Sequence, residues 1–356
     1  MSFEPESIKT FSGAFLVMDA EKFFKDKDIL VTGGCGSVGS EIVKQLLEYD
    51  LKRVRVLDNS EVAQFNLLQR MENNPKLRAL IGDIREPQRV KRAMRGVDIV
   101  FHAAALKHVP LCEYNPFEAV STNVYGTQNL VNIAGEEGVE RFISISTDKA
   151  VNPINTMGAT KLLSEKIVLN ASIGDVDTKF SCVRFGNVLN SSGSVIPIFE
   201  EQIKKGGPVT LTSKEMVRFF MSLPNAVELI LKAAQEMTSR EIFILKMNAM
   251  KIIDLAEIMI EEVAPKYGYN PKDIKIEIIG KRPGEKMSEL LMTTEEAEYA
   301  VEKDNLFIIK EQPISMYNTE KKQFSEPLSK QYGANSAKLL TREEIRELFK
   351  NNKNQD

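Results

Sequence analysis

The residues most able to do chemistry stand between positions 146 and 161. Ser146, Thr147, Asp148 and Lys149 are consecutive, and Met157 and Lys161 follow at a spacing of four. A carboxyl beside an amine offers both halves of a proton transfer, and such groups work best when tuned toward the operating pH. Lys161 falls one helical turn after Met157, on the same face. Met157 can neither give nor take a proton, and a methionine there also suits a gap in the core. An Asp-Lys pair at a strand end is commonly a solvated surface pair. This pair follows the fifth expected strand, at the carboxyl edge where open α/β sheets bind ligands, and that placement favours function.

A second constellation lies upstream. Gly33, Gly36 and Gly39 are spaced three apart in Val31-Thr-Gly-Gly-Cys-Gly-Ser-Val-Gly39, between an expected strand and an expected helix. Glycines permit a tight turn and close approach to a pyrophosphate, and the helix start then offers free N–H groups and the positive end of a dipole. Ser37 and Val38 belong to the same turn. Asp58, 19 residues beyond Gly39 and ending the second expected strand, is placed to bind ribose hydroxyls. It also suits a plain turn. A carboxylate there disfavours a 2′-phosphate, so NAD is expected, with NADP possible because Arg53 or Arg55 can reach round. Asp83 and Ile84 follow the third expected strand; Asp83 either accepts from an adenine amino group or caps the next helix.

Composition narrows the field. The chain has 356 residues, 43% apolar and 27% charged, with a net charge of -3. No basic excess speaks for a nucleic-acid partner. Three separated cysteines (Cys35, Cys112, Cys182) and only two histidines (His102, His108) point to reduced thiols of a cytoplasmic protein and to no metal site. No apolar run reaches membrane-span length, and Phe11–Met18 lacks the flanks of a signal peptide.

The elements that must position these residues follow from periodicity. Strands are expected at Asp28–Thr32, Arg53–Leu57, Leu77–Ile81, Asp98–Ala103, Arg141–Ser146 and Phe180–Phe185. Helices are expected at Val38–Glu48, Val62–Met71, Gln88–Met94, Phe117–Glu136 and Met157–Asn170. This alternation predicts an α/β fold with a doubly wound parallel sheet covered on both faces. Beyond 186 it breaks down. A turn-rich loop at 190–194 precedes helices at Pro197–Lys205, Pro224–Glu236 and Ile252–Val263, strands at Ile242–Leu245 and Ile274–Ile279, and a final helix at Arg342–Lys350. The expected division is an N-terminal extension at 1–26 with a short helix around Ala20–Phe24, a dinucleotide-binding domain at 27–186, a smaller α/β substrate lobe over 187–310, and a tail at 311–356.

The segments Thr32–Gly39, His102–Leu111, Ser146–Pro153, Met157–Lys161, Arg184–Leu189, Gly193–Pro197 and Arg282–Lys286 together resemble extended short-chain dehydrogenases. More narrowly, the pattern is similar to the UDP-N-acetylglucosamine 4,6-dehydratases of polysaccharide biosynthesis, in the variant with Met-x-x-x-Lys replacing Tyr-x-x-x-Lys and as a soluble short form. The resemblance implies a Rossmann-type sheet, a homo-oligomer and a UDP-sugar substrate. It also implies a redox-neutral reaction in which hydride leaves carbon 4 for NAD, water is eliminated across carbons 5 and 6, and the hydride returns to carbon 6. Asp148 would be the acid at the carbon 6 hydroxyl and Lys149 the base at carbon 5. A basic Lys149 needs a depressed pKa, from burial or the charge of Lys161. Lys161 would hold the nicotinamide ribose, Ser146 and Thr147 would bond the carbon 4 hydroxyl, and Ala103, Ala104 and Ala105 would line the cofactor. Lys107, Asn187, Val195 and Glu285 would meet the substrate, and Arg218 and Arg282 its diphosphate. Lys107 can instead pair with Glu113, and either arginine can be a surface ion pair. Two other functions compete: a nucleotide-sugar 4-epimerase, which normally needs the tyrosine, and a non-catalytic NAD-binding sensor.

Overall fold

The structure, a computed structural model, describes residues 20–172, 177–189, 194–310, 328 and 330–353. Most of the expected N-terminal extension, most of the loop at 190–194 including Gly193, and the tail at 311–327 lie outside the described residues.

Nine strands form the main sheet. Five belong to the first half: β1 (Asp28–Thr32), β2 (Arg53–Asp58), β3 (Leu77–Ile81), β4 (Ile99–His102) and β5 (Arg141–Thr147). They are joined by β6 (Lys179–Phe185), β10 (Glu241–Leu245), β14 (Ala300–Lys303) and β15 (Leu306–Lys310), in the order β14-β15-β10-β6-β5-β4-β1-β2-β3. Pairing is parallel from β3 to β10, and β15 and β14 add an antiparallel edge. β1 and β10 are buried at every residue, as strands covered on both faces must be. The chain starts at β1, runs outward to β3, then returns to place β4 beside β1. That reversal opens a crevice at the carboxyl ends.

The covering helices begin with α1 (20–24), α2 (Ser37–Leu46), α3 (Glu61–Arg70) and α4 (Pro87–Met94). After them come α5 (Val109–Tyr114), α6 (Pro116–Val120), α7 (Gly126–Glu136) and α8 (Thr156–Asn170). The helix expected over Phe117–Glu136 is present from Pro116, but Ser121–Tyr125 is a wider, π-type turn. Such turns recur at functional sites. Here it carries Asn123, whose side-chain carbonyl accepts from Leu106 N (2.8 Å) and whose amide donates to Leu106 O and to Thr160 Oγ1 (both 3.0 Å). Asn123 thus clamps the loop after β4 to α8.

A second core is built from α9 (Val195–Lys204), α11 (Ile252–Val263), α13 (Arg342–Lys353) and short strands. The strands are β7 (Asn187–Val188), β8 (Val209–Leu211), β9 (Val217–Met221), β11 (Asn248–Lys251) and β12 (Ile276–Ile278). β12 is shorter than the expected Ile274–Ile279. This lobe does not occupy 187–310 as a block. α10 (Leu223–Glu236), β10, β14 and β15 all lie in that range yet cover or extend the main sheet. β13 (Leu290–Met292), α12 (Thr294–Ala297) and β16 (Tyr332–Gly333) bridge the return. No helix among the described residues is long and apolar enough to cross a membrane.

Candidate active site

The glycine turn is built by contact. Gly33 has φ +64, and a Cβ on it would lie 2.6 Å from Ala104 Cα; one on Gly39 would lie 2.2 Å from Gly33 O. These two close-packed glycines bring α2 and the Ala103–Ala105 segment onto the end of β1. Gly36 is different: a Cβ there would meet only Gly33 O, at 3.4 Å, so this face of the turn is open. Gly36 caps α2 without a side-chain bond, and the first turn holds no acid, which leaves the helix start to receive an anion. Asp58 closes the far side, accepting from Cys35 N (3.2 Å) and Ser60 N (3.1 Å). Beside it, burial and the Asp58 charge push the Cys35 thiol up to about 12. The arrangement fits a dinucleotide.

Arg53 and Arg55 do not reach round to the ribose. Both pair with the buried Asp28, at 2.9 and 2.7 Å, and Arg55 also donates to Ala93 O and Arg95 O. Asp83 neither caps the next helix nor stands free, because Arg85 takes both its carboxyl oxygens at 2.7–3.0 Å and holds it below the usual carboxylate range. Ile84 is core, packed where a Cβ on Gly126 would come within 2.6 Å of it.

A cleft of about 640 Å³ opens beside this turn. It gathers Val38, Ala103, Ala105, Lys107, Thr147, Lys149, Met157, Lys161, Asn187, Val195, Arg218, Arg282 and Glu285. Residues 33–39 other than Val38, and Asp58, Asp83, Ile84 and Ala104, lie outside its lining. On the cleft floor, β5 ends in Thr147, and Asp148 and Lys149 begin a short helical turn. Asp148 is fully buried. Its Oδ1 accepts from Thr147 Oγ1 and Lys149 Nζ, both at 2.9 Å, and its Oδ2 has no hydrogen-bond partner. Gly186 makes room for that oxygen, since a Cβ there would lie 3.2 Å from it.

Lys149 departs from expectation. Burial pulls its pKa down, but Asp148 and Glu289 outweigh burial and hold the amine above the ordinary lysine range. Lys161 is not its neighbour in charge; its Nζ donates to Ile145 O at 2.7 Å, and burial lowers its own pKa. Met157 is buried against Cys112, Ala119 and Val109 and still borders the cleft. Ser146 also lines the cleft, with its hydroxyl committed to Glu165 Oε1 at 2.5 Å. Glu165 in turn forks onto the buried Arg184 (2.7 and 2.8 Å).

Arg218 also differs, and Lys107 borders the cleft without its alternative partner. The Arg218 guanidinium donates to the carbonyls of Val217, Lys286 and Met287, so it braces the loop after Arg282 and has little left for a diphosphate. Glu113, offered as a partner for Lys107, instead accepts from Thr156 N at 2.5 Å. Arg282 remains an exposed wall of the cleft. Three residues were missed in the sequence: Ser194, whose buried Oγ has no partner; Asn155, which donates to Gly284 O at 2.8 Å; and Glu289, which stands 3.8 Å from Lys149 Nζ. Only Glu289 had a readable signal, a carboxylate four residues past Glu285.

Residues 29–311 match the family described as polysaccharide biosynthesis protein. The chain belongs to that family. Within and around it, the chain is 54% identical over 94% of its length to an uncharacterized membrane protein of Methanocaldococcus jannaschii, covering 98% of that protein. It is 40% identical over 80% of its length to a UDP-N-acetylglucosamine 4,6-dehydratase (inverting) of Campylobacter jejuni, covering 83% of it. A UDP-glucose 4-epimerase of Rickettsia bellii is 39% identical over 92% of the chain and 96% of its own length. Among solved structures, Pen from Bacillus thuringiensis superposes with a TM-score of 0.86 at 44% identity, over 92% of this chain and 98% of that one. The extended short-chain dehydrogenase architecture expected of this family is the one observed.

Proposed function

We propose that this nucleotide-sugar-modifying enzyme is an NAD-dependent 4,6-dehydratase acting on UDP-N-acetylglucosamine. The observation that carries the reading is the pairing of buried Asp148 with the partly exposed Lys149, joined at 2.9 Å on the floor of the cleft. Moving one hydride off carbon 4 and back, as an epimerase does, leaves such a pair without a task; eliminating water needs one acid and one base side by side. NAD rather than NADP is supported by Asp58, and by Asp28 holding both nearby arginines.

A bound nicotinamide would supply the hydride acceptor for carbon 4 and the donor for carbon 6. The chain's residues supply the rest. The uncapped start of α2 and the open face of Gly36 receive the pyrophosphate. Lys161, buried and tied to Ile145 O, would present its amine to the ribose and the carbon 4 hydroxyl. Thr147, bonded to Asp148 Oδ1 at 2.9 Å, would link that hydroxyl to Asp148. The carbon 4 hydroxyl would give up its proton to solvent in the oxidation; the carbon 5 proton then goes to the Lys149 amine while the carbon 6 oxygen departs as water with a proton from Asp148. Once hydride had returned to carbon 6 to complete the methyl group, Lys149 would give a proton back to carbon 5, and a solvent proton would restore the pair. Arg282 and the free start of α9 remain for the UDP diphosphate and uridine.

The Rickettsia relative gives the epimerase reading its weight, since its identity nearly equals that of the dehydratase. One experiment separates them. The purified protein is incubated with UDP-N-acetylglucosamine and NAD in deuterated water and followed by proton NMR. A new methyl signal with its carbon 5 coupling collapsed by deuterium, absent in Lys149→Ala, is the expected result. Interconversion at carbon 4 alone would replace this reading with epimerisation. No turnover by protein that retains NAD would favour a binding role.

A further inference from the structure

Lys149 has two carboxylate neighbours, and the second comes from a distant part of the chain. Glu289, just before β13, is almost fully buried and borders the cleft. Its Oε1 lies 3.8 Å from Lys149 Nζ, and its Oε2 has no hydrogen-bond partner. Lys286 Nζ stands 3.5 Å from Oε2 but gives its hydrogen bond to Val151 O at 2.7 Å. A carboxylate left this bare inside a protein is costly unless its charge is used by a neighbour. We infer that Glu289 is a positioning residue for the Asp148–Lys149 pair, the charge that decides which of the two holds their shared proton.

The proton accounting is internal. The resting form is the ion pair, Lys149 Nζ 2.9 Å from Asp148 Oδ1. One N–H bond of Lys149 breaks and an O–H bond forms on Asp148 Oδ1, 2.9 Å away, leaving a neutral amine and a carboxylic acid. No electron is transferred and no proton is exchanged with water. That second form is the one the proposed dehydratase needs, an amine for the carbon 5 proton and an acid for the carbon 6 oxygen. Glu289 favours the ammonium, so it holds the pair in the resting form and strengthens the amine as a base when the carbon 5 proton arrives. Four charged groups bear on the balance: Asp148 and Glu289 raise the amine's proton affinity, Arg218 lowers it, and Lys286 partly neutralises Glu289. The catalytic meaning of Glu289 rests on the dehydratase reading; the charge arrangement does not.

The test is competitive acylation of the full-length protein with acetic anhydride, read lysine by lysine by mass spectrometry, since only the neutral amine reacts. Lys149 is within reach, its side chain 22% exposed, and Lys205, 70% exposed, serves as internal reference. In Glu289→Gln, loss of a carboxylate this close lowers the Lys149 pKa by about one unit, so it acylates about tenfold faster at a given pH. Glu289→Asp, which keeps the charge, returns the rate toward that of the unsubstituted protein. Lys286→Met strips Glu289 of its other cation and slows Lys149, a change of opposite sign that keeps the test alive if Glu289→Gln fails to fold. A Lys149 rate unmoved by either substitution overturns the inference. Where methyl product forms, the pH profile of carbon 5 deuterium incorporation shifts downward in Glu289→Gln by the same amount. Where the unsubstituted protein forms none, the dehydratase reading falls while the acylation result still stands or fails by itself.

Discussion

Met157 stands where the resemblance would place a proton-transferring phenol. Its side chain packs on Cys112, Ala119 and Val109 while bordering the cleft, so its contribution is shape. Met157→Leu, a swap of similar volume, is expected to cost less than about 1.5 kcal/mol of stability and to leave turnover within the same order of magnitude. A drop of about a hundredfold or more, the size of a lost acid or base, would give the thioether a part that its chemistry does not explain. The NMR assay for methyl product, together with a thermal midpoint, measures both. At this scale the sequence was informative about identity and blind to charge state. Asp148, Lys149 and Lys161 were legible as a group because their spacing puts them at one strand end and one helix turn. The protonation of Lys149 was not legible, because beside Asp148 it depends on burial and on Glu289, both set only by the fold.

Elements are joined at the site by buried polar ties. His102, ending β4, bonds Thr32 Oγ1 of β1 through Nδ1 (2.8 Å) and Thr127 Oγ1 of α7 through Nε2 (3.0 Å). Burial, with the Lys161 charge, pushes its pKa down to about 3. An unfolded histidine titrates near about 6.5, so between the two values the unfolded chain binds more protons and stability must rise with pH. The contribution is whole above about pH 6.5 and is lost as pH falls toward 3, at up to about 1.4 kcal/mol per unit. Urea unfolding at a series of pH values is expected to show this slope, and His102→Gln to flatten it. An equal slope in the variant would locate the titration elsewhere. The elements themselves were legible wherever local pattern made them: β1 to β6 and their helices fall within a few residues of expectation. In the second half β10 was legible and β12 lies within its expected range, but the other strands were not: β7 exists by pairing Asn187 with Phe220 and β8 by pairing Val209 with Ile276. Two- and three-residue strands owe their conformation to such partners more than to their own sequence.

At the scale of the molecule, the terminal helix closes the second core. Arg342 and Arg346 meet Glu257, Glu261 and Glu262 of α11, while Ile345 and Phe349 are buried beneath. The apolar side should dominate. Phe349→Ala is expected to cost about 3–5 kcal/mol, and Arg346→Ala, at a partly exposed ion pair, less than about 1 kcal/mol. Denaturant midpoints with unchanged slopes would measure both, and a larger loss from the arginine would reverse the assignment.

The expected division at residue 186 assigned 187–310 mainly to a second lobe, and the order of strands returns part of that range to the main sheet. Leaving the main sheet after Phe185, the backbone comes back at Leu223, departs again past Leu245, and returns for Ala300 before ending on the other core. A protease that nicks the passage between Phe185 and Leu223 or that between Leu245 and Ala300 frees no whole sheet, because the main sheet has strands on both sides of either cut. The protein would survive such a nick as a non-covalent complex of two fragments, and neither fragment, produced alone, would carry a whole cleft.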